Sequence, residues 1–260
     1  MQVLVTGGDR FRGNAVVKLL RNSDLDLLSL TRRTPSKSGY KYCDLAVPSP
    51  LVELLNNVAP DCIVNFAATV DFSTEVLPTL YSVNSLCLTI MAEYCLRTKS
   101  YLIQTSGIVA VGFQHAIYGE SSQPHPDTDY GCRKLLAKQA ILGSCCSAAI
   151  VRFGGVFGGD GPQHLGLNRV MPQAKSGVPP RVVGTGTAKR NNVYVAHAAA
   201  MVPKCIIESI DGVYHAGGET KSTLQMCRRF VMFGFIVKNT SCWMEKMDRI
   251  NLCKPVPSSA

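Results

Sequence analysis

The sequence predicts a doubly wound α/β fold, a parallel sheet with helices on both faces, followed by a smaller C-terminal part. Three observations predict it. Short apolar runs at 3–6, 25–30, 62–66, 101–104 and 148–153 alternate with segments of helical periodicity, and strands apolar on both faces belong to buried parallel sheets. The first run ends in Gly7-Gly8 and leads into an amphipathic segment, a strand–turn–helix unit. The hydroxyl, phenol, amine and arginine side chains with chemical potential stand at the ends of runs or the starts of the helices that follow, which is where open parallel sheets bind ligands.

In chain order, Ala15, Val16, Leu19 and Leu20 share one face of the first helix. The run at 25–30 closes with Thr31-Arg32-Arg33. Leu51, Leu54, Leu55 and Val58 predict a second helix, which Pro60-Asp61 ends ahead of the strand at 62–66. A helix is expected over 80–97, then the strand at 101–104 running into Thr105-Ser106-Gly107. Segment 130–142 reads as helix and 148–153 as a buried strand. After Phe153 the texture becomes glycine-rich, through Gly154, Gly155, Gly158, Gly159 and Gly161 to Pro162. The expected division is therefore a sheet domain at 1–153 and a smaller substrate-binding part at 154–260. Within the latter, 165–176 reads as a helix, the strands at 192–195 and 213–215 are expected to return to the main sheet, and 255–260 reads as a frayed tail.

Composition narrows the function classes. Of 260 residues, 46% are hydrophobic and 17% charged, which suits a sizeable core and excludes a disordered chain. No apolar run reaches the roughly 18 residues of a membrane span. The chain opens directly into the first strand, without the pattern of a secretory signal, so a cytosolic location is expected. Eleven cysteines are scattered between Cys43 and Cys253 with no C-x-x-C; they read as reduced thiols used as small core residues rather than as a disulfide framework or a metal site. The net charge of +9 is dispersed over Arg10, Arg12, Arg32, Arg33, Lys189, Arg190, Arg228 and Arg229. Basic side chains near glycine turns fit a phosphorylated small molecule better than a nucleic-acid stripe, and no aromatic-basic recognition motif is present.

The turn Thr6-Gly7-Gly8-Asp9-Arg10-Phe11-Arg12-Gly13 is the first candidate site. Glycines there let the backbone approach a pyrophosphate, which then rests on the amides of the next helix. In G-x-x-G-x-x-G spacing the middle glycine is replaced by Arg10, a phosphate ligand or a mark of a weakened site. At the end of the second strand an acid would bond the ribose 2′-hydroxyl of NAD, and arginine accommodates the 2′-phosphate of NADP. Arg32 and Arg33 stand there and no acid does, so NADP(H) is expected, with NAD(H) as the alternative. Asp44 reads either as an adenine contact or as an ordinary cap for the turn containing Leu45.

The second candidate site is Tyr130-Gly131-Cys132-Arg133-Lys134. Residues four apart share a helix face, and an ammonium beside a phenol lowers the phenol's pKa, which makes it an acid/base near neutral pH. Ser106, or Thr105 beside it, ends a strand upstream and offers a hydroxyl to the substrate oxygen on which Tyr130 would act.

Together these residues resemble the extended short-chain dehydrogenase/reductase superfamily, in its sugar-nucleotide branch. Ala59-Pro60-Asp61-Cys62-Ile63-Val64-Asn65-Phe66-Ala67-Ala68 is similar to the R-P-D-V-V-I-N-A-A-A segment of dTDP-4-dehydrorhamnose reductases, and Tyr81-Ser82-Val83-Asn84 to their A-Y-A-V-N. Tyr118-Gly119-Glu120, Pro124-His125-Pro126 and Tyr130 to Leu135 resemble Y-x-E, P-N-P and Y-G-R-S-K-L. Val151-Arg152 with Gly155-Val156-Phe157-Gly158 looks like the L-R and V-Y-G strand and loop, and Gly184-Thr185-Gly186 with 190–195 looks like an epimerase segment. The resemblance covers roughly 1–218. It implies a Rossmann-type fold, with Tyr130 as acid/base, Lys134 as its partner and Ser106 as the substrate-oxygen ligand. Gly7, Gly8, Arg10, Phe11 and Gly13 would surround the pyrophosphate, with Ala67 and Ala68 lining the cofactor and Asn84 near it. It also implies a nucleotide-sugar substrate and a homodimer formed through a helix bundle.

The sequence departs from that pattern in places. Gly107-Ile108 lacks the acidic pair of the dehydratases, which argues against 4,6-dehydration, and His197 stands where epimerases carry Asp. A G-G-x-R-F-x-G turn occurs in some relatives, including plastid RNA-binding ones. The expected activity is hydride transfer on a keto-sugar nucleotide, by reduction or by epimerisation. A non-catalytic nucleotide-binding regulatory subunit with the same fold is the alternative, and an RNA-binding role is the third reading.

Overall fold

The architecture is taken from a computed structural model, which describes residues 1–35, 38–70, 77–112, 114, 117, 119, 121–163, 165–178, 180, 182–236 and 252–253. The tail at 255–260 and the motif residues Tyr118 and Glu120 lie outside them.

Two compact units are present, one made of Met1–Phe153 with Ala196–Ala216 and the other of Gly154–Val195 with Gly217–Ala260. The first contains strands β1 (Gln2–Thr6), β2 (Asp26–Thr31), β3 (Tyr40–Tyr42), β4 (Cys62–Asn65), β5 (Tyr101–Gly107) and β6 (Ala148–Phe153). The helices of its Met1–Phe153 segment are α1 (Phe11–Leu20), α2 (Pro48–Val58), α3 (Leu77–Tyr81), α4 (Cys87–Thr98) and α5 (Asp129–Ser144). Strand β11 (Gly212–Ala216) completes a seven-stranded sheet of order β11-β6-β5-β4-β1-β2-β3. Every pairing in it is parallel. The order reverses between β1 and β4, so their carboxyl ends, Thr6 and Asn65, open onto the switch-point crevice.

Burial explains the sheet. Leu4, Ile63, Leu102 and Ile150 pack into one cluster with Leu51, Leu54 and Leu55 of α2, Leu88 and Met91 of α4, and Ile141 of α5. The alternate residues Val3, Val5, Cys62, Val64 and Ile103 are buried as completely, as a sheet covered on both faces requires. Helix α1 packs on β1 and β2 through Val16, Val17 and Leu20. Helix α2 ends at Ala59 in the left-handed region, φ 49°, and Pro60 prevents its continuation.

The helix expected over 80–97 is broken into three parts: α3, a π-helical turn at Ser82–Leu86, and α4. Apolar periodicity cannot see the extra residue of a π turn, because the helix continues on the same axis.

In the second unit, β7 (Val156–Phe157) pairs in parallel with β10 (Val193–Tyr194). The segment expected to carry 192–195 back to the main sheet therefore lies in this separate two-stranded ribbon. Val193 N–H donates to Gly155 O at 2.9 Å, and helix α7 (Val195–Glu208) begins at once, which leaves a strand too short to join the sheet. A second ribbon pairs β9 (Lys189–Asn191) with β12 (Thr220–Ser222), antiparallel. Helix α6 (Gly166–Lys175) packs on α8 (Thr223–Ile236), with Val170, Val182 and Cys227 at the core. Among the described residues no helix is long and apolar enough to cross a membrane.

Candidate functional site

The turn after β1 is fixed by contact with β4 and α1. Gly7 has φ +64°, and a Cβ there would meet Ala67 N at 2.9 Å. A Cβ on Gly13 would overlap Gly7 O, and one on Gly8 would overlap Ser29 Oγ. The glycines thus let β1, α1 and β4 approach one another. Beneath them runs a buried polar chain that the sequence reading missed. Thr6 Oγ1 donates to Asn65 Oδ1 and accepts from Ala67 N. Asn65 Nδ2 donates to Gln104 Oε1 at 2.8 Å, and Gln104 Nε2 to Thr105 O at 2.6 Å. Each of these groups is satisfied by the next, so the carboxyl ends of β1, β4 and β5 are held in one register. Three polar residues at the ends of apolar strands were the available signal.

Above the turn lies a cleft of about 470 Å³. It is lined by Gly7, Arg10, Arg32, Leu45, Ala67 and Ala68, six of the residues singled out in the sequence, together with Asp9, Leu30, Thr31, Cys43, Thr69 and Val83. Arg10 is the N-cap of α1 with extended backbone, φ −95° and ψ 162°, and its side chain is 53% exposed. It stands at the rim and does not fill the cradle. No side chain caps α1 and no acid stands in its first turn, so the amides that open the helix, beginning at Phe11, and the positive end of its dipole are left for an anion. These residues fit a dinucleotide: backbone amides and arginines for the phosphates, and apolar walls at Leu30, Cys43, Leu45 and Val83 for a base.

Two expected contacts have structural partners. Asp44 Oδ1 accepts from Ala46 N at 3.0 Å, the geometry of a local turn, and the cleft is lined by its neighbours Cys43 and Leu45. Asn84, fully buried in the π-helical turn, accepts from Thr69 N at 3.0 Å and donates to Thr69 O at 2.7 Å. It clamps the backbone of a cleft-lining residue.

The second group of residues gathers around the start of α5. Thr128 Oγ1 accepts from Gly131 N at 3.1 Å and caps the helix. Gly131 has no room for a side chain, because a Cβ would meet Val109 O at 2.5 Å. The first turn of α5 therefore rests on the 3₁₀ turn Ile108–Ala110 that directly follows β5 and Ser106. Tyr130 is half-buried. Lys134 is 3% exposed and its Nζ lies 5.8 Å from the centroid of the Tyr130 ring. Ser106 is buried at the end of β5. The Thr105 hydroxyl is committed to Asn65 O at 2.8 Å, which leaves Ser106 as the hydroxyl of interest.

Arg152, 2% exposed, stands in register with Ser106 on one side and His215 on the other. Its Nη1 is 3.2 Å from His215 Nε2. One turn beyond Lys134, burial and the Arg152 charge lower the pKa of the Lys138 ammonium. The carboxyl ends of β5 and β6 are thus electropositive. Burial pushes the Cys62 and Cys87 thiols up to about 12 and Cys227 to about 11, so these three remain protonated core groups; Cys145, by contrast, is exposed rather than a core residue.

Comparison with known proteins places this geometry in a family. A family model described as the RmlD substrate binding domain matches residues 1–254. The chain is 30% identical over 162 residues to methionine adenosyltransferase 2 subunit beta of Danio rerio, 60% of this chain and 48% of that protein; it spans about half the length of that curated relative. Among solved structures, the UDP-glucose 4-epimerase of Thermus thermophilus, in complex with NAD, superposes with a TM-score of 0.75 at 20% identity, over 100% of this chain and 88% of that one. The dTDP-4-dehydrorhamnose reductase of Bacillus anthracis str. Ames, in complex with NADP, gives 0.77 at 18% identity, over 97% and 83%. At these identities the two structures share its fold. The chain belongs to the RmlD substrate binding domain family, in the sugar-nucleotide branch of the extended short-chain dehydrogenase/reductase superfamily.

Proposed function

We propose that the chain is an NAD(P)-dependent oxidoreductase acting on a keto-sugar nucleotide, with Tyr130 as its acid/base. The observation that carries this reading is Lys134. A nearly buried ammonium costs stability unless it is paired, and this one lies against the phenol ring of a half-buried tyrosine at a helix start. The pair sets a proton-carrying phenol and a fixed positive charge on one face of the helix, the two parts that acid/base work on a substrate oxygen needs.

A bound nicotinamide dinucleotide would supply or accept the hydride. The turn at Gly7, Gly8, Arg10, Phe11 and Gly13 would hold its pyrophosphate, with Ala67 and Ala68 along the cleft. Arg32 and Arg33 favour NADP(H), with NAD(H) as the alternative. Ser106 Oγ donates to the substrate oxygen, and Tyr130 Oη delivers the proton to that oxygen as the carbonyl is reduced to an alcohol. Lys134 Nζ offsets the phenolate charge left behind. In the reverse direction Tyr130 takes the proton back. A cytosolic homodimer completes the reading, supported by the exposed Leu96 on α4 and Leu136 and Leu142 on α5, apolar surface that a helix bundle would bury.

A second reading, a nucleotide-binding regulatory subunit, is favoured by the likeness to a subunit of methionine adenosyltransferase. Incubating the protein with NADPH and a panel of dTDP- and UDP-keto-sugars separates the two. Oxidation of NADPH with formation of a reduced sugar supports the enzyme. Nucleotide binding without turnover across the panel supports the subunit.

A further inference from the structure

Two clefts meet at Asp9. One is the dinucleotide cleft. The other, about 620 Å³, is lined by Asp9, Asn14, Thr31, Arg33, Thr34, Pro35 and Tyr40. Asp9 and Thr31 belong to both and form the wall between them. The Asp9 side chain is 19% exposed, yet its Oδ2 is wholly buried and accepts no hydrogen bond. Arg33 Nε approaches it to 3.8 Å and Arg10 Nε to 4.0 Å, distances that give charge attraction without a hydrogen bond. The wall is held in place from both sides. Tyr40 Oη donates to Gly8 O at 3.2 Å, and Arg33 N donates to Thr31 Oγ1 at 3.0 Å. A carboxylate is therefore fixed in the glycine turn, between two guanidinium groups that do not saturate it.

We propose that Asp9 sets the choice between the two nicotinamide dinucleotides by competing for Arg33. This inference rests on the nucleotide-binding reading above. The dinucleotides differ by one phosphate on the adenosine ribose. Arginine at that place attracts the phosphate, and a carboxylate repels it and accepts a hydrogen bond from the free ribose hydroxyl instead. Chemistry of both kinds stands on one wall here. Asp9 offsets the preference that Arg32 and Arg33 would impose alone, so the chain accepts NAD(H) as well as NADP(H), with a narrow margin between them.

The test is a titration of the folded protein with NADPH, NADH and 2′,5′-ADP. It compares the parent with Asp9→Asn, Asp9→Ser and Arg33→Gln, each checked by a thermal melt. Removing one charge several ångströms from a phosphate at a protein surface raises the ratio of NADPH to NADH affinity about tenfold. Asp9→Asn is expected to do this, with a gain that shrinks as salt is added, and Arg33→Gln is expected to lower the ratio. Asp9→Ser carries the test should the amide destabilise the turn. If the neutral variants bind both dinucleotides with the parent's ratio, the role of Asp9 is overturned and the nucleotide reading stands. If the folded parent binds none of the three probes, both fall together.

Discussion

The glycine turn after β1 and the first turn of helix α5 both stand at the carboxyl end of one sheet, yet they are constrained in opposite ways. At the glycine turn, backbone presses on backbone: Gly13 against Gly7 O, and Gly7 against Ala67 N. Its residues are explained by packing before any ligand is considered. At α5 only Gly131 is explained that way, by its approach to Val109 O. Tyr130 is half-buried and Lys134 is buried with its charge, and packing gives no reason for an ammonium there. A feature that packing explains reports the fold. A feature that costs stability and is retained reports the chemistry.

That contrast can be broken by mutation. The largest effect on stability is expected from Gly13→Ala, which forces α1 away from β1. About 3 kcal/mol should be lost in urea unfolding, in line with overpacked sites, and nucleotide binding with it. An alanine tolerated within about 0.5 kcal/mol would mean that the turn is not set by packing. Lys134→Met should behave in the opposite way. Removing a buried charge leaves stability equal or raises it by about 1 kcal/mol, while turnover falls by about 100-fold. A large loss of stability instead would make Lys134 a structural residue. Asn84→Ala is intermediate: two hydrogen bonds to the Thr69 backbone are lost, about 2 kcal/mol in all, and nucleotide affinity should weaken through the misplaced cleft wall. Unchanged affinity at that stability cost would confine Asn84 to the fold.

The same contrast governs what the sequence could convey. The β1–turn–α1 unit, the strand carrying Ser106 and the Tyr130–Lys134 helix were legible because apolar periodicity and local spacing define each of them. The π-helical turn was not, because Val83 and Asn84 carry no periodic signature of an inserted residue. Nor was the chain through Thr6, Asn65 and Gln104, since it joins strands far apart in sequence. Asp9 reads in the sequence as a spacer between glycines, and its meaning comes from Arg33, which β2 brings beside it. The strand at 193–194 was legible as a strand but not as to its partner, because pairing with Val156–Phe157 is decided by tertiary neighbours.

On the proposed function, Tyr130 moves a proton next to a bound nicotinamide dinucleotide. The direct test is the Tyr130→Phe variant, with NADPH affinity and keto-sugar turnover measured on the same preparation. Parent-like NADPH affinity is expected, with turnover reduced by at least about 100-fold. Turnover at the parent's rate without the phenol oxygen would contradict it.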